Sequence, residues 1–260
     1  MHIYVSSAMK YIYWYEFIFV YLQWREASFT TSTGDGESQT YRVYAVCEVA
    51  QQNVNNWLRT PYIQRRNANR IYIETKFTMR ECTRHPNPNH LQQCKEKFNL
   101  LFYEADSNFA NDMMPTWDTM SYRHIDAIAA DREFSDINNA AINTKTRDIP
   151  ISLNGVYFAF QDTGACTSLI SVKVYYIYCD SITINYARFP DTVAGPEVTS
   201  IVQQTGSCVE NAAMESKPTY LCKADGTWYL NSGGCKCMAG FQPDRAKGDT
   251  ACIGEFSKPQ

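Results

Sequence analysis

Two cysteines and two histidines share one short stretch, Cys82-x2-His85-x4-His90-x3-Cys94, and thiolate and imidazole at such spacings are the ligands of tetrahedral zinc. Pro86 and Pro88 favour a compact knuckle between them. Zinc would hold both sulfurs as thiolates in a chain whose other cysteines read as oxidised, so a disulfide beside surface histidines is expected, and no metal. Acidic residues two apart, Glu104 with Asp106 and Asp131 with Glu133, have the residue types of a glycosidase dyad. In strands or loops such pairs usually face solvent, and catalysis is not expected of them. The sequence has no Gly-rich phosphate loop, Gly-x-Ser-x-Gly elbow, His-Glu-x-x-His or kinase signature set, so neither an enzyme nor a cofactor is expected.

One cation remains. Along residues 71–79, Ile71, Ile73, Phe77 and Met79 fall on one strand face, with Glu74, Lys76, Thr78 and Arg80 on the other. Arg80 is therefore expected to point away from the core, where a guanidinium can grip a carboxylate bidentately. From the residues alone, a solvated charge at a strand end is the better reading.

Strands must position such groups. Eighteen tyrosines and thirteen phenylalanines, with few long Ala/Leu/Glu/Lys runs, favour an all-β class. Residues 41–47, 71–79, 97–103, 125–129 and 155–160 read as strands, and 170–174 alternate apolar with polar as a half-buried antiparallel strand does. Many short strands without helical periodicity imply a two-sheet sandwich, jelly-roll or immunoglobulin-like. The 260 residues, 45% apolar, exceed one ordinary domain. Of the ten cysteines, Cys47, Cys82, Cys94, Cys166 and Cys179 are sparse, and the other five crowd between Cys208 and Cys252. That reads as a large domain with its own core followed by small stapled modules, in an oxidising, extracellular compartment. No Asn-x-Ser/Thr sequon adds to that reading. A net charge of -3 and a pI near 5.8 exclude a nucleic-acid binder, and Arg65-Arg66 with Arg70 reads as a solvated loop.

The apolar run at 11–22 follows Lys10 but is interrupted by Glu16 and is too short to cross a bilayer. It reads as a degenerate signal or anchor, as a strand, or as non-native sequence.

Five blocks in one order, Tyr41-Arg-Val-Tyr-Ala-Val-Cys47, Asn55-Asn-Trp-Leu-Arg-Thr60, the run from Arg70 to Cys82, the run from Cys94 to Asp106, and Asp126-Ala-Ile-Ala-Ala-Asp-Arg-Glu-Phe134, resemble the ligand-binding domain of Eph receptors, the tyrosine kinase receptors for ephrins. The stretch from Asn154 to Cys179 resembles the end of that domain nearly word for word, and Trp24-Arg25-Glu26 resembles its start. The resemblance implies a jelly-roll β-sandwich at 24–178 after an uncertain segment 1–23, then a sushi-like module at 179–236 and the opening of an EGF-like repeat at 237–260. It pairs Cys47 with Cys166, Cys82 with Cys94, Cys179 with Cys222, Cys208 with Cys235 and Cys237 with Cys252, and makes Trp228 the buried centre of the sushi-like module.

By the same resemblance Arg80 meets an acidic residue on an incoming ephrin loop, and Thr78 helps to line the channel. The Cys47–Cys166 bridge forms part of its wall, Val49 and Ile170 add apolar lining, and Phe134 belongs to the loop that closes over the ligand. Residues 131–141 and the loop from Cys82 to Cys94 depart from the family pattern, which leaves ligand-subclass preference open. The expected function is extracellular binding of a membrane-anchored ephrin for contact-dependent signalling such as axon guidance, with receptor-to-receptor clustering. Membrane attachment is expected only through a downstream segment that these residues do not include. The alternative is a secreted carbohydrate-binding or decoy β-sandwich whose exposed Trp and Tyr stack on sugars.

Overall fold

The computed structural model describes residues 9–13, 21–22, 24–32, 38–49, 51–82, 94–135 and 140–254. Their regular elements are strands, with a short 3-10 turn at Gly248–Thr250. Of the described residues, those within 11–66 and 71–175 form one compact unit, and those within 67–70 and 176–254, with 9–10, form a second.

The first twelve strands are β1 (Met9–Tyr13), β2 (Tyr21–Leu22), β3 (Arg25–Ser32), β4 (Ser38–Cys47), β5 (Asn56–Arg59), β6 (Ile63–Gln64), β7 (Arg70–Met79), β8 (Lys97–Ala105), β9 (Arg123–Ala129), β10 (Asn143–Pro150), β11 (Gly155–Asp162) and β12 (Cys166–Cys179). One sheet runs β10-β7-β12-β4-β3 and the other β2-β5-β11-β8-β9, with β6 also on β11. Part of the N-terminal apolar run is thus strand: Tyr21 and Leu22 pair with Leu58 and Trp57.

Ile71, Ile73, Phe77 and Met79 are all fully buried, because alternation sends that face of β7 between the sheets. There Phe77 meets Phe98 of β8 edge to face, with ring centroids 5.1 Å apart, and Phe98 meets Phe160 of β11 at 6.1 Å. β11 does not alternate and is buried along its whole length. One side faces the other sheet; on the opposite side Ala159 packs with Trp57, Leu101 and Tyr122. Arg59 holds residues 106–122 over that outer cluster. Its guanidinium donates to the carbonyls of Met114 and Asn111, each at 2.9 Å, and lies 4.6 Å from the Trp117 ring and 5.6 Å from the Tyr157 ring.

Two disulfides lie in this unit, Cys47–Cys166 and Cys82–Cys94. The latter occupies both sulfurs of the zinc-like spacing; His85 and His90 lie outside the described residues.

The second unit continues with β13 (Ile182–Ile184), β14 (Ala187–Phe189), β15 (Thr192–Val193), β16 (Ile201–Thr205), β17 (Ser207–Cys208), β18 (Ala212–Lys223), β19 (Trp228–Cys237), β20 (Phe241–Pro243) and β21 (Cys252–Gly254). Cys179–Cys222, Cys208–Cys235 and Cys237–Cys252 brace its small sheets. The expectation for Trp228 needs correction, because the aromatic fully enclosed in the core cluster of Ala187, Ala212 and Cys235 is Phe189, while Trp228 is only partly buried. Trp228 stacks on Tyr220 at 4.8 Å and donates its indole N–H to the Asp180 carbonyl at 2.7 Å. So small a cluster encloses one ring and leaves the larger indole at its margin.

Gly233 shows how tightly β18 and β19 approach. Its φ is +72°, and a Cβ there would lie 2.2 Å from the Lys217 carbonyl oxygen. Gly233→Ala is expected to destabilise this unit by about 2 kcal/mol or more, read as a lower urea midpoint at unchanged slope.

Candidate ligand-binding cleft

The pairing of three strands builds the cleft. Cys166 lies opposite Cys47 and Ser168 opposite Ala45 across β4, while on β7 Ser168 lies opposite Thr78. Directly paired residues share a sheet face, so the disulfide, Ala45, Ser168 and Thr78 stand on one side of β4-β12-β7. Phe134 is laid along the end of β7: its N–H donates to the Met79 carbonyl at 3.1 Å, and its own carbonyl accepts from the Glu81 N–H at 2.9 Å. The Arg80 N–H donates to the Cys166 carbonyl at 2.9 Å, which ties the end of β7 to the start of β12. A cavity of about 490 Å³ results, lined by Ala45, Val46, Cys47, Arg80, Phe134, Ser135, Cys166, Thr167 and Ser168.

Of the residues singled out in the sequence, Arg80, Phe134, Cys47 and Cys166 meet in this cavity. Arg80 is partly buried, and its side chain forms no ion pair among the described residues. Thr78, expected on the channel wall, is 1% exposed; it shares the sheet face but is covered, and its carbonyl accepts from the Thr167 hydroxyl at 2.8 Å. Val49 lies just beyond the end of β4, is buried, and is not among the lining residues.

Ile170 marks a register shift in β12, where Leu169 pairs with Phe77 but Ser171 with Lys76. The bulge breaks the alternation expected through 170–174, so Ile170 leaves the face of the buried Val172 and Val174. It packs instead with Phe29, Val43 and Ala140, in a patch that also takes in Ala45 and Phe134. The patch adjoins the cavity but Ile170 does not line it.

The lining residues that the sequence reading passed over are Ala45, Val46, Ser135, Thr167 and Ser168. Ala45 and Ser168 carried a usable signal, being two positions from Cys47 and Cys166 on the same strands. Ser135 and Thr167 gave none.

Acidic groups fringe the site. Burial pushes the Glu133 carboxyl up, with Glu96 and Glu81 adding to the rise. The dyad-like acids take structural roles: Glu104 pairs with Arg123 at 3.2 Å and accepts from the Ser152 N–H at 2.7 Å, and Asp131 pairs with Lys145. No group of three His, Cys, Asp or Glu side chains among the described residues has metal-binding geometry. Among the tryptophans whose side chains are described, Trp24 and Trp57 are buried, Trp117 lies under Arg59 and Trp228 stacks on Tyr220.

The fold and cleft define a disulfide-braced β-sandwich binding module joined in sequence to a cysteine-rich module. The chain belongs to the ephrin receptor family: residues 4–179 match the ephrin receptor ligand binding domain and residues 180–237 the ephrin cysteine rich domain. It is 46% identical over 214 residues to ephrin type-B receptor 3 of Gallus gallus, covering 81% of this chain and 21% of that one. Against the Homo sapiens ephrin type-B receptor 3 the identity is 46% over 205 residues, covering 78% and 20%. Against ephrin type-A receptor 4-B of Xenopus laevis it is 41% over 224 residues, covering 84% and 22%. The chain thus spans about a fifth of the length of these relatives and carries the ligand-binding and cysteine-rich regions of an ephrin receptor.

Proposed function

We propose that this chain binds an ephrin through the cleft around Arg80, as the extracellular part of a receptor that acts between touching cells. The observation that carries this reading is the convergence of a cation without an ion pair among the described residues, an aromatic ring and a disulfide, drawn from four separate stretches of sequence, on one cavity. Arg80 meets a carboxylate of the ephrin, and Ala45, Phe134 and the Cys47–Cys166 bridge receive an apolar side chain beside it. Thr78, Val49 and Ile170 support these walls from behind or beside them. An extracellular location is supported by five disulfides among the described residues.

The domain division proposed is 24–178, 179–236 and 237–260. The family matches, which change over at 179/180 and end at 237, support its two later boundaries, whereas the first match begins at residue 4, ahead of 24. A sushi-like reading of the middle module is supported by its first-to-third and second-to-fourth bridges, and the short Cys237–Cys252 loop supports an EGF-like opening. The cysteine-rich modules contribute receptor-to-receptor contacts.

Surface plasmon resonance against immobilised ephrin ectodomains of both subclasses tests the binding reading, with a glycan array as the contrasting assay. Phe134→Ala is expected to weaken ephrin binding by about tenfold, through lost apolar contact at the cleft edge. Sugar binding without ephrin binding would refute the proposal.

A further inference from the structure

The link between β11 and β12 moves the chain from one sheet to the other through residues 163–165. Asp162, the last residue of β11, has a side chain with no exposed surface there. Its Oδ1 accepts the Gly164 N–H at 3.1 Å and the Ala165 N–H at 2.6 Å, and its Oδ2 accepts the side-chain N–H of Asn56, its β5 pairing partner, at 3.1 Å. Gly164 has a φ of +120°, a conformation that side chains disfavour, so the corner is sharply specified. The corner's own carbonyls then reach outward: Gly164 accepts from the Lys95 N–H and Cys166 from the Arg80 N–H, each at 2.9 Å.

We propose that Asp162 is a positioning residue for the cleft: its buried carboxylate locks the corner that fixes the backbone of Cys166 and, through it, that of Arg80. The inference rests on the ephrin-binding reading of the cleft and extends it by one residue that does not line it. A carboxylate suits the place because three donors converge on it and it is an acceptor only. Burial raises its proton affinity while the N–H groups of Ala165 and Gly164 and the amide of Asn56 lower it again, so the donors oppose the cost of enclosing the charge. An amide in its place would turn one N–H2 group towards that of Asn56.

Asp162→Asn in the full chain is expected to weaken ephrin binding by about tenfold and to speed amide hydrogen exchange at Arg80 and Ala165. The swap Asn56→Asp with Asp162→Asn restores one acceptor-only partner facing one amide, and with it affinity and protection. Leu101→Ala, a fully buried change in the outer cluster, lowers stability but leaves both readouts at wild-type values. Should Asp162→Asn not fold, Asn56→Ala removes a single donor, and a loss of about threefold is expected. Unchanged affinity in the Asp162 variant, an equal loss in Leu101→Ala, or no recovery in the swap overturns the proposal. If the wild-type chain itself binds no ephrin, the binding reading falls separately. Arg80 exchange then decides the positioning role: faster in Asp162→Asn than in Leu101→Ala supports it, and equal rates overturn it.

Discussion

Arg80→Glu is expected to weaken ephrin binding by about a hundredfold, equivalent to roughly 2.7 kcal/mol, with no change in the thermal or urea midpoint. The substitution removes the cation from the cavity and puts in its place a charge that repels an acidic ligand residue. Folding is insulated because the contact that ties Arg80 to Cys166 is made by its backbone N–H, and its side chain forms no ion pair among the described residues. Arg80→Lys separates charge from geometry: it keeps the cation but loses the planar fork, and a loss of about tenfold is expected. Surface plasmon resonance on the three proteins, with near-ultraviolet circular dichroism as the folding control, reads both effects. Equal affinity for wild type and Arg80→Glu would take Arg80 out of the site.

The second large effect is on stability. Cys47 and Cys166 are 119 residues apart in sequence, so their bridge closes most of the large unit into one loop. Replacing both with alanine is expected to cost roughly 4 to 5 kcal/mol by the chain-entropy account, against about 3 for the Cys82–Cys94 bridge, whose separation is only 12. The two double variants should therefore rank clearly in urea unfolding. Ephrin affinity should fall in the Cys47 and Cys166 variant even where it is fully folded, because the bridge is itself cavity wall. Wild-type midpoints and affinity in that variant would show that the bridge neither braces the sandwich nor shapes the cleft.

Much of the sandwich was readable in advance, for a simple reason. Along β7 the two-residue period of a strand sends Ile71, Ile73, Phe77 and Met79 inward, and no other arrangement of those side chains buries them together. The same rule failed at Ile170, because a bulge is a property of two strands in register and leaves no mark in one of them. It placed Thr78 on the correct face, but alternation gives the face of a sheet and not what covers that face, and here the covering leaves 1% of the residue exposed, off the channel wall that the resemblance implied. Asp162 gave no chemical signal, since a lone acid before a Gly-Ala turn looks like ordinary loop polarity until its three donors are seen around it.

The sequence by itself determined the all-β class, because strand period and aromatic content are local properties, and it determined the oxidised character of the chain, because the cysteines number an even ten and five of them crowd between Cys208 and Cys252, as small stapled modules require. Only the tertiary structure decided which cysteines face each other, that Phe189 rather than Trp228 is the enclosed ring, and that Arg80, Phe134 and Cys166 share one cavity. These depend on contacts between residues far apart in the chain, and strand register, not composition, sets them.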